Sequence, residues 1–530
     1  MLHPVSFESR LQPSALSRRC LRWRVVPFAV GAMACLIPHL TAAAPLQLQT
    51  DPPASTSLSP STPTSIPPAS IVRSVIHHRA SNVYTISIRG QRILVHLRPM
   101  PEATGISLCI RLLGGELSET AQTRGLTAAV VAAWTRPDTD ASTTQPANLR
   151  SAVTPESVAF TPRTLESPDA LSKALTNFAS MIVAPTLDEP RFQTAHRQTL
   201  SRARAVGSPG FAAVVQAMRQ STDPRAGGPL STHVERWTPD AAREHLTTLA
   251  SNAPIEIAIA GNITLAQALP IIQQCLAPIA DAQPAAHVTP TFNRAADRDI
   301  STGVVAAAFP VPEGPIVQVL LPGPDIDDLA AVRQFAVVAQ YLQSELDAAF
   351  KAQPRPASVI GSVVIPSRGL KNLGTVMLTI RLKNPEPEPT LADNPDNQPV
   401  AQTFQQPEAI AAEVRSVLEV VLSRCADANQ IDQPKLTTAI DAITAQAAQR
   451  LSDPDYWASV LSFTRFYAIN PDDLAHAARH YQTITRADIA SRIATLGPGT
   501  TRTRFVVLVP PPPSSPKVLP VDKPQSTEDR

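Results

Sequence analysis

The same order of strand-like and helix-like patterns occurs twice along this chain, and few architectures accommodate such a repeat. Each half opens with short apolar or alternating runs, typical of strands, and continues into amphipathic segments, typical of helices. In the first half we predict strands at 84–89, 92–97, 106–113 and 255–260, and helices at 123–134, 171–183, 189–204 and 264–276. In the second half we predict strands at 303–309, 316–321, 359–365, 374–382 and 505–509, and helices at 327–350, 408–425, 433–451, 455–467 and 471–481. This order predicts an α+β fold of two tandem homologous domains, each a mainly antiparallel sheet packed with helices.

The distribution of proline marks the boundaries of these domains. The chain has 530 residues and 54 prolines, and the prolines concentrate between the repeated halves and at the ends. Segments dense in proline, serine and threonine bury too little apolar surface to fold. We therefore predict a disordered tether at 44–72, a first domain at 73–280, a linker at 281–302, a second domain at 303–510 and a disordered tail at 511–530.

Residues 1–43 have the features of a signal peptide. Four arginines between positions 18 and 24 precede the apolar run Val25–Leu40, and Thr41-Ala42-Ala43 offers small residues for cleavage. The alternative is an N-terminal anchor, but the run is shorter than the roughly 20 residues of a membrane span and contains two prolines. We predict an exported protein of the periplasm or cell envelope, without a membrane span once the signal is removed. Ser17-Arg18-Arg19 resembles a twin-arginine start, so that route and the general secretory route both stay open.

Charge and cysteine content argue against a nucleic-acid-binding protein, a disulfide-rich protein and a zinc-knuckle protein. The formal net charge is +2 and no basic stripe is interleaved with aromatic residues, so nucleic-acid binding has no support. Outside the signal, Cys109, Cys275 and Cys425 are isolated and surrounded by apolar residues. Their spacing fits neither a disulfide framework nor a zinc knuckle, and we predict buried free thiols.

The segment Leu112–Trp134, which reads LLGGELSETAQTRGLTAAVVAAW, resembles the active-site segment of the pitrilysin/insulinase metallopeptidases. In that family a strand ends in glycine, an acidic residue follows, and Gly-Leu-Ala opens a helix with the inverted zinc motif H-x-x-E-H. The two histidines hold zinc and the glutamate activates the bound water. Aligned on Gly125-Leu126-Thr127, the first histidine falls on Ala128, the glutamate on Val131 and the second histidine on Ala132. None of these side chains can bind a metal or move a proton.

Further segments between about residues 75 and 510 carry the same resemblance in the family's order. Those that resemble family segments are Arg236–Arg243, Ile255–Thr264 and Gln318–Asp325. The helix predicted at 189–204 matches the one with the third zinc ligand, but that ligand falls on or beside Arg202, and a guanidinium cannot bind a metal. Active members also carry an arginine and a tyrosine after the long helix of the second domain. Here no tyrosine stands between 346 and 361, and Arg355 lies between two prolines.

His476 and His480 stand four apart on one predicted helix, with Asp472 and Asp473 one turn earlier. A relocated metal site is possible at this spacing, but it would need a third ligand and a general base. We favour a solvated helix face, with the two acids near the positive end of the helix dipole.

Four other candidates also have a simpler interpretation. We predict that His77-His78 is exposed and that His196 is a surface residue. Thr127 and Ser118 have no histidine–acid pair nearby in the sequence, so nucleophilic catalysis by a hydroxyl has no support.

The resemblance therefore implies a non-catalytic pseudopeptidase with no metal and no other cofactor. By analogy with the family's heterodimers, we expect a zinc-free partner subunit that shapes the chamber and binds substrate peptide for a zinc-bearing homologue. The first alternative is a stand-alone peptide-binding or structural protein of the envelope that pairs with itself. The second is an active metallopeptidase with a relocated site.

Overall fold

The computed structural model describes residues 71–89, 92–135, 149–162, 164–205, 229–282, 303–308, 314–367, 374–384, 406–497 and 503–509. The predicted signal peptide and tail, and nearly all of the tether and linker, lie outside these residues. In the described part of the chain, no helix is both long enough and apolar enough to cross a bilayer.

The first unit contains a seven-stranded mixed sheet, sheet A. Its strands are β1 (Val72–His78), β2 (Val83–Ile88), β3 (Ile93–Pro99), β4 (Ile106–Leu113), β5 (Arg150–Val153), β6 (Ser157–Thr161) and β7 (Ile255–Gly261). Their order across the sheet is β1-β2-β3-β7-β4-β6-β5, and every pair is antiparallel except β3 and β7. The helices are α1 (Leu126–Trp134), α2 (Pro168–Val183), α3 (Glu189–Ala205), α4 (Ser231–Val234), α5 (Pro239–Asn252) and α6 (Leu265–Ala282).

The second unit repeats this arrangement in sheet B. Its strands are β8 (Gly303–Ala308), β9 (Ile316–Pro322), β10 (Ala357–Ile365), β11 (Thr375–Leu382) and β12 (Arg504–Val509). The order β10-β11-β9-β12-β8 matches that of β5-β6-β4-β7-β3, including one parallel pair, β12 with β8. The helices are α7 (Leu329–Lys351), α8 (Pro407–Cys425), α9 (Gln433–Leu451), α10 (Pro454–Leu461), α11 (Pro471–Ala475), α12 (Ala477–Gln482) and α13 (Arg486–Ala494). The predicted fold class of two homologous α+β units is confirmed.

One face of each sheet packs against helices of its own unit. On β7, for example, Ile255, Ile257 and Ile259 point into a core shared with α1, α2 and α6. Several helices begin where a polar side chain accepts a backbone N–H, as Ser167 does at the start of α2 and Thr485 does in the capping box of α13.

The other face of sheet A is covered by the second unit. This face carries small and polar residues, such as Glu256, Ala258 and Ala260 on β7, which would suit an exposed surface. Instead α10 and the residues after it pack there, with Trp457 and Leu461 fully buried. We term residues 454–475 the docking segment. It joins the two units through residues that are far apart in the sequence.

Two local predictions are wrong, and one hairpin was missed. The helix predicted at 455–467 ends at Leu461, where the chain turns to place Thr464 and its neighbours against sheet A. The helix predicted at 471–481 is interrupted at His476, which ends α11 and precedes α12. The hairpin of β5 and β6 was not predicted, because both strands are short and their alternation is weak.

Candidate functional site

The helix α1, which the family motif would occupy, begins at a strained turn that suits glycine. Gly125 has φ +85°, in the left-handed region, and a Cβ there would lie 3.2 Å from Pro229. The carboxylate of Glu119 accepts hydrogen bonds from the backbone N–H groups of Gly125, at 2.7 Å, and Thr127, at 2.6 Å. Glu119 therefore satisfies two donors that the first turn of a helix leaves without partners.

Of the three positions on α1 that align with the zinc motif, one faces the core and two face outward. Val131 is 1% exposed and belongs to the core, whereas Ala128 is half-buried and Ala132 is exposed. The two alanines share the outward face, as residues four apart do on any helix. The helix α3 packs against α1, and Arg202 on it is exposed. Among the described residues, no group of three histidine, cysteine or acidic side chains could hold a metal ion.

Glu119 is the most perturbed acid beside α1. The residue is 6% exposed, and burial raises its pKa to about 7, although its hydrogen bonds with Thr127 and Gly125 oppose that shift. The carboxyl group is thus poised to change its charge near neutral pH. Its bonds go to the first turn of α1, to backbone N–H groups and to the Thr127 side chain, so this perturbation belongs to helix capping.

Thr127 does have a histidine and an acid close to it in space, although not in the sequence. Its hydroxyl lies 2.9 Å from Nε2 of His245 on α5, and Glu119 accepts from its backbone. Burial lowers the pKa of His245. Thr127 is 0% exposed, however, so no substrate can reach its hydroxyl. The trio supports α1 and lacks the access that a nucleophile needs. Because Thr127 and His245 are 118 positions apart in the sequence, no local signal indicates this contact.

His196 is half-buried within aromatic contacts, so its prediction as a surface residue is wrong. Its ring is stacked on Phe192 and tilted against Trp237, with centroids 6.0 Å apart in both pairs. Its Nε2 donates to the carbonyl of Val234 at 2.7 Å. On α4, His233 similarly donates from Nδ1 to the carbonyl of Ala121, at 2.8 Å. Both histidines hold α4 against neighbouring segments.

In the second unit, Arg355 and the buried Tyr341 of the long helix both make structural contacts. Arg355 donates from Nε to the carbonyl of Lys383 at 2.8 Å, and its Nη1 lies 3.3 Å from Glu413. Tyr341 on α7 is fully buried, and its hydroxyl accepts from the backbone N–H of Asp432. Neither side chain is presented to a substrate.

The acids that precede His476 and His480 belong to the docking segment, at the contact between the units. Asp472 accepts hydrogen bonds from both the N–H and the hydroxyl of Ser81, each at 2.8 Å. The acid is thereby engaged with sheet A, and the helix break at His476 separates His476 from the helix of His480. This arrangement offers no metal site.

An edge strand lies directly beside α1. The strand β5 forms one margin of sheet A, and Ser151 on it lies 2.9 Å from the hydroxyl of Thr135, the residue that ends α1. Within the described part of the chain, β5 pairs on one side only, with β6. An edge strand is the kind of element to which an extended peptide can add.

Comparisons with known proteins identify the architecture. No family model matches the sequence, and no curated protein matches it. Solved structures do match the fold. A peptidase M16 inactive domain from Pseudomonas fluorescens has a TM-score of 0.61 at 16% identity, over 82% of this chain and 100% of that one. A protease from Helicobacter pylori has a TM-score of 0.60 at 14% identity, over 80% and 99%.

The periplasmic protease PqqL from Escherichia coli matches with a TM-score of 0.58 at 12% identity, over 88% of this chain and 49% of that one. This chain thus spans about half the length of that protease. Identities this low establish the fold without the activity. The chain therefore has the two-unit fold of the M16 peptidases, the pitrilysin/insulinase group.

Proposed function

We propose that this protein is a non-catalytic member of the M16 fold group that binds extended peptide and serves as the zinc-free partner subunit of a zinc-bearing homologue. The observation that carries the proposal is the outward face of α1. It presents Ala128 and Ala132 where the family motif places its histidines. The strand β5, which among the described residues pairs only with β6, contacts this helix. A peptide can add to such an edge through backbone hydrogen bonds alone, without metal.

The similarity to PqqL supports the pairing. That chain is about twice as long as the matched region, so it has room for a second unit pair, which a separate subunit would supply here. The signal-like residues 1–43 and the periplasmic location of that protease support export to the periplasm or envelope. The domain limits 73–280 and 303–510 belong to the same proposal.

The first test is metal content. We expect the purified mature chain to hold less than about 0.1 zinc per molecule, because the ligand positions have no donor atoms. The double variant Ala128→His, Ala132→His is the matched control, since it places two imidazoles four apart on the outward face of α1. We expect this variant to gain zinc affinity in a competition assay. Stoichiometric zinc in the wild-type chain would contradict the proposal and favour a relocated site.

The second test addresses peptide and partner. A short fluorescein-labelled peptide of alternating threonine and valine should bind, and the same peptide with alternate backbone nitrogens methylated should not, because methylation removes the strand hydrogen bonds. Equal binding of both peptides would exclude strand addition. In a pull-down from the native envelope, we expect a zinc-bearing homologue near one to one that carries all peptidase activity. Recovery of this chain only with itself would favour the stand-alone envelope protein instead.

A further inference from the structure

Three arginines meet where the docking segment packs on sheet A, and they come from both units. Arg98 lies on β3, whereas Arg333 lies on α7 and Arg450 lies near the end of α9. The helices α7 and α9 pack against each other. Between them and sheet A, the ring centre of Trp457 lies 3.5 Å from Cζ of Arg98. The same indole donates to the carbonyl of Leu451, the residue after Arg450, at 2.8 Å.

The guanidinium of Arg98 has donors that no acceptor occupies. The group lies over the face of the Trp457 ring, which leaves its in-plane N–H groups to other partners. Its Nε and Nη1 atoms are nevertheless buried without a hydrogen-bond partner among the described residues. Burial lowers the pKa of Arg98 to about 10, so the group is still charged at neutral pH. A buried charged donor of this kind is stabilised by an anion that completes its hydrogen bonds.

Two tyrosine hydroxyls add neutral donors to these arginines. Tyr456 lies on α10 and Tyr481 on α12, which packs against both α7 and α9. Burial raises the pKa of both hydroxyls, whereas the positive charges of Arg333 and Arg450 lower it. Arg98 also lowers the pKa of Tyr456, so all three arginines act on one hydroxyl. In the part of the chain that the structure describes, neither hydroxyl has a hydrogen-bond partner.

The acids of the docking segment are bonded to other groups or turned outward. Asp455 and Asp472 each accept from a serine hydroxyl of the first unit. Asp473 is exposed, and its backbone carbonyl is the group that accepts from Arg333, at 3.0 Å. Within the described ranges, none of the three arginines forms an ion pair with a carboxylate. The positive charge of this cluster is therefore not balanced locally.

The ligand class that suits these donors is a tetrahedral oxyanion with two negative charges. Guanidinium groups match the oxygen atoms of a phosphate, and hydroxyl donors can bond the oxygens that remain. A carboxylate neutralises one of the three cations, whereas a phosphate dianion neutralises two. All five side chains belong to half-buried residues, so a small ion can reach them from solvent.

We propose that this arginine–tyrosine cluster binds a phosphate dianion, either free or as a monoester. Its donors are Arg98, Arg333, Arg450, Tyr456 and Tyr481. Because one donor belongs to the first unit and four belong to the second, the bound anion also holds the docking segment on sheet A. The cluster lies at the end of β3, beside the start of β4, whereas α1 follows the other end of β4. This inference does not depend on the proposed function.

Calorimetric titration of the full mature chain with inorganic phosphate, at about pH 8 and low ionic strength, tests the site. We expect one phosphate per chain with a Kd below about 1 mM, and a melting temperature that rises with phosphate concentration. Acetate, with a single charge, should bind at least about tenfold more weakly. Glycerol 3-phosphate is titrated in parallel. Tighter binding of this monoester assigns the site to phosphate esters, and tighter binding of inorganic phosphate assigns it to the free ion.

Three variants locate the site. Arg98→Gln should weaken phosphate binding at least about tenfold, because it removes a charge-assisted donor. Tyr481→Phe keeps the ring and its packing, so it reports on the hydroxyl even if Arg98→Gln fails to fold. We expect it to weaken binding about three- to tenfold. Arg479→Gln changes an exposed arginine of the same helix α12 and should bind as the wild type does.

Any one of three results would overturn the proposal. The first is a wild-type chain that shows no saturable phosphate binding. The second is acetate binding as tight as phosphate binding, which would mean that the cluster does not select a dianion. The third is an equal loss of affinity in Arg479→Gln and Tyr481→Phe, which would mean that phosphate responds to the general surface charge.

Discussion

Glu119→Gln removes the charge at the start of α1 and keeps the shape of the side chain. In the folded protein the Glu119 carboxyl group is buried against the backbone N–H groups of Gly125 and Thr127. Burial raises its pKa from 4.5 to about 7. Between pH 4.5 and about pH 7, the folded segment therefore holds a proton that the unfolded segment releases.

The size and sign of the effect follow from linkage. The pKa of Glu119 rises from 4.5 in the unfolded segment to about 7 in the folded one. At about 1.4 kcal/mol per pH unit, this difference amounts to about 3 kcal/mol of stability. Because the folded pKa lies above the unfolded one, this stabilisation of α1 is complete below pH 4.5. This stabilisation is lost as the pH rises through about 7, and above that pH the stability of α1 no longer depends on Glu119 titration.

Hydrogen exchange of peptides that cover α1, at pH values from about 5 to about 8, measures the free energy of local opening. We expect the wild type to lose up to about 3 kcal/mol relative to Glu119→Gln across this range. All other titratable groups are common to both proteins, so the difference between them isolates Glu119. Glu102→Gln, on an exposed turn, is the control and should follow the wild type.

The reasoning is refuted if the opening free energies of the wild type and Glu119→Gln change in parallel with pH. It is also refuted if the wild type gains stability as the pH rises. That sign would mean that the two backbone hydrogen bonds outweigh burial and hold the carboxylate ionised.

Two further substitutions test packing. Trp457→Ala empties a buried site where the indole donates to the carbonyl of Leu451 and lies 3.5 Å from the guanidinium of Arg98. It should lower the free energy of unfolding in urea by about 3–5 kcal/mol, whereas Val420→Ala, at a site 69% exposed, should change it by less than about 0.5 kcal/mol. Equal effects would contradict the docking arrangement. Gly261→Ala should destabilise by about 2 kcal/mol or more, since φ is +135° and a Cβ would lie 2.2 Å from a backbone oxygen. Gly303→Ala, which meets open space, is its control in thermal unfolding, and similar melting temperatures for the two would refute the expected strain.

The sequence by itself determined the features that depend on residue identity and local period. Apolar residues alternate or recur at helical spacing in the same order in both halves, so the two α+β units and most of their elements could be predicted. The absence of donor atoms at Ala128, Val131 and Ala132 is likewise a property of the residues, whatever their surroundings. The prediction that zinc is not bound therefore depends on chemistry and alignment, and it awaits the metal assay.

Only the tertiary structure decided which distant residues meet. His245 contacts Thr127 across 118 residues of sequence, and Thr464 reaches the carboxylate of Glu256 across 208. The contact of Thr464 follows the early end of α10 and lies on a face of sheet A that its small and polar residues would have assigned to solvent. Periodicity describes one element at a time, whereas these contacts depend on the order of strands in a sheet and on how two units pack. That order is set by burial summed over the whole chain, so no single segment encodes it.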